Sequence, residues 1–193
     1  LKTPLLKIMG NKQAMDGLKE LFHRPYFTRA WILQELILAK KATVVCGQHQ
    51  WDWDEFRKAM LALYKCESVL EMITKNRAFV RILSLRQIFS DNGFVLLSYG
   101  VYGLLEFKAS DPRDKVYAAL GLGMSSRKLP LTPDYNLTVQ EMYTNTARYL
   151  IEEDQNLRCW INCNRPSSKE ISNLPSWVPD WTHPNVDIIT SGK

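Results

Sequence analysis

Glu35 is the residue whose type and setting best suit it for chemistry. Read as one helix, the segment from Tyr26 to Ala39 is apolar except at Thr28, Arg29, Gln34 and Glu35. At 3.6 residues per turn, Thr28, Trp31 and Glu35 fall on one face. A single acid one turn from an indole, on an otherwise buried helix, is a place where desolvation raises a carboxyl pKa and readies it for proton or cation chemistry. The same pattern also suits a structural glutamate paired with Arg29, Arg24 or a backbone donor, and on the residues alone that plainer role is favoured.

The other candidates for chemistry are weaker. Cys159, Cys163 and His183 are soft ligand types, but Cys-x3-Cys without a second pair does not make a zinc site, so free thiols and no metal are expected. His23 and His49 fall at element ends with no partner to make either a catalytic base. Gly121-Leu122-Gly123 lacks a third glycine and ends a helix instead of following a strand, which excludes a dinucleotide loop. Neither a Walker A sequence nor a nucleophile-elbow serine occurs.

The elements that must position these residues follow from caps and periodicity. Met15, Leu18, Leu21 and Phe22 predict a helix over 11–22, and Pro25 suits the first turn of the next. Thr43 to Cys46 and the residues after Gly47 predict a strand, a turn and a return strand. Asp52 with Glu55 opens a helix carrying Phe56, Met60, Leu63 and Tyr64. A longer helix is expected over 68–90, with Val69, Met72, Ile73, Val80, Leu83 and Ile88 on its apolar face and Asn92-Gly93 closing it. Asp111-Pro112 to Gly121 reads as a short helix with an Asp cap and proline in its first position. Thr138 and Glu141 repeat the capping logic for a helix to about Glu153, with a strand at 157–162 after it. Prolines keep Leu174 to Trp181 irregular, and its two tryptophans should dock it onto the body.

The whole chain has 193 residues, 46% of them hydrophobic, which is enough for a sizeable core. Its net charge of +5 is scattered in pairs such as Lys40-Lys41 and Arg127-Lys128, the pattern of a solvated surface and not of a nucleic-acid face. The longest uncharged apolar stretch, Phe94 to Leu105, is too short to span a bilayer, which takes roughly 20 residues. Leu1 and the lack of a signal sequence suggest a piece of a longer chain, and four cysteines without a secretory signal point to reduced thiols in the cytoplasm.

Four segments carry a resemblance to the fungal heterokaryon incompatibility (HET) domain and the region that follows it. Arg24-Pro25-Tyr26-Phe27-Thr28-Arg29-Ala30-Trp31-Ile32-Leu33-Gln34-Glu35 is similar to that domain's last block, R-P-W-F-x-R-x-W-x-x-Q-E, with Tyr26 in place of the usual Trp. Asp111-Pro112-Arg113-Asp114-Lys115-Val116-Tyr117, then Pro133-Asp134-Tyr135, then Leu174 to Trp181 resemble, in order, the segments downstream of it. Two earlier blocks, around A-L-S-Y-x-W-G and I-D-x-x-C-I-N-Q, would precede Leu1. The resemblance implies a helix-rich α/β chain: residues 1–66 the end of a partial TIR-like (flavodoxin-like) HET domain, and 67–193 a mainly helical downstream region with a Trp/Pro-rich docking tail. It also implies an intracellular effector of vegetative incompatibility that triggers programmed cell death on nonself recognition. Its partners would be proteins or further copies of itself, without nucleic acid. In TIR domains a similar W-x-x-x-E-L segment holds the glutamate that supports NAD cleavage. By that likeness Glu35 would be catalytic, Trp31 and Arg29 would lie against the substrate, and NAD would be a substrate with no cofactor required.

Overall fold

The computed structural model describes residues 11–63, 77–123, 131–154, 171 and 173–182. Helix α1, Lys12–Phe22, starts where Asn11 accepts the Ala14 N–H, 3.2 Å, and ends at His23. Its amphipathic face brings Phe22 into the core, where the ring tilts against Phe79 at 4.8 Å. Phe27 and Phe56 meet Phe79 edge-on at 5.1 and 6.3 Å. Four rings from four segments thus share one centre, and burying each contributes about 2–3 kcal/mol.

The expected helix over 26–39 divides in two. Pro25–Thr28 is a single 3-10 turn, Arg29 is extended, and helix α2 spans Ile32–Ile37. The cause is not local. The Lys108 N–H donates to the Thr28 carbonyl at 2.5 Å and the Ala30 N–H to the Lys108 carbonyl at 2.9 Å, so the chain at Arg29 pairs with a distant segment as a parallel bridge. Backbone groups satisfied across the fold have no need of helical bonds. Helix α2 is then capped at its C-terminal end by Arg86, whose Nη1 donates to the carbonyls of Leu36 and Ile37, both at 2.6 Å, and of Ala39 at 2.9 Å.

Strands β1, Thr43–Cys46, and β2, His49–Asp52, form the expected hairpin, with Gly47 at φ +60 in the turn. Asp52 accepts the N–H groups of Asp54 and Glu55 and so starts α3, Trp53–Leu63, with Phe56, Met60 and Leu63 buried. Among the described residues this antiparallel pair is the whole sheet. Helix α4 runs Arg77–Asn92 and closes at Gly93, φ +77, as expected; Tyr64, Val69, Met72 and Ile73 lie outside the described residues.

Helix α5, Leu97–Leu104, occupies the uncharged stretch that periodicity left unassigned, and it is buried on most sides. Its partner is α6, Asp114–Leu120, which begins two residues after Pro112 because Asp111 accepts the Arg113 N–H in a turn first. Helix α7, Val139–Asp154, carries the capping box as read: Thr138 N–H to Glu141 Oε2, 2.8 Å, and Glu141 N–H to Thr138 Oγ1, 3.2 Å. The tail docks through Trp181, fully buried against Tyr143 at 4.8 Å, while Trp177 stays 37% exposed, contrary to expectation. The strand anticipated at 157–162 lies outside the described residues. One continuous core includes residues from both sides of position 66.

Gly121 ends α6 with an ordinary φ of −68, so it is not a left-handed stop. It is small because Gln34 occupies the space: a Cβ there would sit 2.5 Å from Gln34 Nε2, which donates to the carbonyls of Tyr117 and Ala118, both at 3.2 Å. Gly121→Ala should therefore cost about 1–3 kcal/mol in denaturant unfolding by displacing that amide. In a Gln34→Ala background the same change should cost less than about 0.5 kcal/mol, because the added methyl enters vacated space and the stiffer residue restricts the unfolded chain.

Candidate functional site

Glu35 and Trp31 do stand one turn apart, since the Glu35 N–H donates to the Trp31 carbonyl at 3.2 Å. Their side chains part company. Glu35 is exposed, not buried, and accepts the Tyr26 hydroxyl at Oε2, 3.4 Å. Burial first, and then the Glu35 charge, push the Tyr26 hydroxyl pKa above its ordinary value. Thr28 donates to the Pro25 carbonyl within the 3-10 turn, and Arg29 is exposed with its backbone in the bridge to Lys108. Among the described residues, neither Arg29 nor Arg24 forms an ion pair with Glu35.

A cleft of about 310 Å³ lies beside Tyr26, between the end of α1 and strand β1. Leu21, Phe27, Leu36 and Trp53 give it an apolar wall, and Arg24 and Tyr26 are its polar residues on the α1 side. Glu35, Trp31 and Arg29 are not part of its lining, and the Tyr26 hydroxyl joins the cleft to the candidate acid.

Trp31 is half-buried and faces the opposite way. Its Nε1 donates to Asp114 Oδ2 at 3.1 Å, and the other oxygen of that carboxylate accepts the Tyr135 hydroxyl at 2.6 Å. This bond to Asp114, with some burial, pushes the Tyr135 hydroxyl up to about 12. Arg113 forks onto Asp111 (2.6 Å at its shortest), donates to the carbonyls of Tyr135 and Leu137 at 2.6 and 2.7 Å, and sits 5.2 Å from the Tyr135 ring centre. Tyr117 donates to the Asp134 carbonyl at 2.5 Å and accepts the Asp134 N–H at 3.0 Å. Tyr143 closes the group by donating to the Pro112 carbonyl at 2.8 Å.

Lys115 was missed by sequence reasoning, which placed the cations on a solvated surface. It is 5% exposed, and its Nζ donates to the carbonyls of Leu104, at 3.1 Å, Leu105, at 3.3 Å, and Phe107, which end α5. Burial lowers its pKa to about 8, partly offset by Glu106. A lysine between two acid-flanked turns of a short helix gives no sequence signal of this. His23 Nδ1 bonds the Lys19 carbonyl at the end of α1, and His49 stacks on Trp51, so both stand at element ends as read. Among the described residues no group of three His, Cys, Asp or Glu could hold a metal; Cys159, Cys163 and His183 lie outside them. Among the same residues no helix is long and apolar enough to cross a membrane.

Three of the four motif segments thus assemble into one polar network. The bond from Arg113 holds the Asp111 carboxyl below its ordinary 3.8. A carboxyl depressed on folding adds stability above its unfolded pKa that is lost as pH falls through the lowered folded value. Asp111→Asn should lower the melting temperature at pH 7 and flatten its decline below pH 4, as read by thermal melts across pH.

The sequence is similar to heterokaryon incompatibility protein 6, OR allele, of Neurospora crassa, with 27% identity over 191 aligned residues. The match covers 82% of this chain and 28% of that protein, so the chain spans a little over a quarter of the relative's length. No family model matches the chain, and no solved structure does.

Proposed function

We propose that this chain is part of a fungal heterokaryon incompatibility protein, an effector that triggers cell death on nonself recognition and acts through protein contact. The observation that carries this is the similarity to the Neurospora protein, named for incompatibility, across 82% of the chain. The geometry supports a contact role. The residues of the R-P-x-F-x-R-x-W-x-x-Q-E block with the most exacting partners, Trp31 and Gln34, use them to hold α6 in place. Motif residues spent on holding a scaffold suit a protein that presents surfaces.

The second reading is a TIR-like hydrolase that cleaves NAD, with Glu35 stabilising the ribosyl cation and Trp31 and Arg29 near the substrate. One observation favours it: Glu35 is exposed, and its Tyr26 partner lines the cleft. Against it, the Trp31 indole N–H is held by Asp114.

The test is induced expression of the gene encoding this chain in fungal strains of like and unlike incompatibility genotype. Wild type and Glu35→Ala are compared at matched abundance, with dye uptake reporting death and cellular NAD measured alongside. Contact predicts death in unlike strains for both forms with NAD unchanged. Loss of both death and NAD consumption in Glu35→Ala would favour the hydrolase, and no death in any strain with wild type would overturn the proposal.

A further inference from the structure

Strand β1 has one edge committed to β2 and, among the described residues, the other edge unpaired. The register pairs Val44 with Trp51 and Cys46 with His49, and the Trp53 N–H continues the ladder by donating to the Ala42 carbonyl at 2.9 Å. In an antiparallel pair the bonded positions alternate, so Ala42, Val44 and Cys46 turn their backbone groups toward β2. The N–H and C=O of Thr43 and Val45 then point the other way, and among the described residues none of these four groups has a partner. Thr43 and Val45 are exposed, Val45 at 62%.

The cleft beside Tyr26 lies along this open edge. All four residues of β1 line it, and no residue of β2 does. Trp53, only 2% exposed, is part of the same lining, and its buried indole N–H has no acceptor among the described residues. A buried donor left without an acceptor is unfavourable. Arg24 lines the cleft with no carboxylate partner among the described residues, and Lys40 and Lys41 stand exposed just before the strand.

We propose that the open edge of β1 and the cleft along it form a docking site for an extended peptide with apolar and acidic side chains. The peptide backbone adds a third strand by bonding to Thr43 and Val45. Its apolar side chains enter the cleft, and its carboxylates meet Arg24 and the two lysines. An edge unpaired among the described residues, with an apolar slot beside it, favours a strand over a helix or a small polar ligand. Glu35 does not line the site, although its partner Tyr26 does, and the test reads binding and not cell death, so its failure and that of the incompatibility reading are distinguishable.

The probe is a fluorescein-labelled, acetyl-capped octapeptide of alternating valine and glutamate, titrated into the full-length protein and followed by anisotropy. Saturable binding is expected. It should weaken at least about fivefold, the equivalent of one net hydrogen bond, when alternate peptide nitrogens are methylated or when Val45→Pro removes the outward N–H. Arg24→Glu should reverse the preference between this peptide and its valine–lysine counterpart. If Val45→Pro does not fold by circular dichroism, the methylated peptide and Arg24→Glu still decide. Absence of binding to wild type, or binding indifferent to methylation and to Arg24→Glu, overturns the proposal.

Discussion

Trp31 and Gln34, half-buried at the start of α2, have to find polar partners against the rest of the fold, and the placement of α6 follows from where they find them. Trp31 precedes, and Gln34 lies within, a helix of only six residues whose Ile32, Leu33, Leu36 and Ile37 are all buried. An indole N–H and a side-chain amide so placed are expensive to leave unbonded. Both end on one segment: Trp31 on the Asp114 carboxylate at the start of α6, and Gln34 on the carbonyls near its end. The two contacts span α6 lengthwise, so its position and rotation against α2 are set together. Gly121 is the cost in side-chain volume of letting Gln34 in.

The same requirement recurs as a division of labour among cations. Arg86 closes the carbonyls that end α2, Lys115 those that end α5, and Arg113 those of the loop after Pro133. The C-terminal ends of helices carry partial negative charge and unpaired carbonyls, so a cation there satisfies both at once. Burying the Lys115 amine is tolerable only because three carbonyls receive it. With α6 held by Trp31 and Gln34, and the Pro112 carbonyl just before it bonded by Tyr143 of α7, the Asp111 to Tyr117 motif becomes a junction between segments.

Local signals were legible wherever the local chain decides the outcome. The hairpin around Gly47, the Asp52 start, the Gly93 stop and the Thr138–Glu141 box all stand where their residue types put them. What was hidden depends on partners far along the chain. The break at Arg29 comes from pairing with Lys108, some eighty positions away, and no pattern within 26–39 encodes it. Helix α5 has so few polar residues that no periodicity marks a face. Glu35 looked buried because its neighbours in sequence are apolar, yet it lies on the outward side of a short helix whose other side holds the core. Trp177 and Trp181 share the tail, and only Trp181 finds Tyr143.

For function, this shifts weight from the single carboxylate to the surfaces that the scaffold presents. Across the Trp31–Asp114 contact, α2 and α6 form one cooperative unit. Native-state hydrogen exchange of the α2 and α6 amides, compared between wild type and Trp31→Phe, measures this most directly. The account predicts that both helices exchange with the same opening free energy in wild type and that both fall together, by about 1–2 kcal/mol, when the indole N–H is removed. If α2 alone loses protection while α6 keeps its own, the contact does not couple them and the account is contradicted.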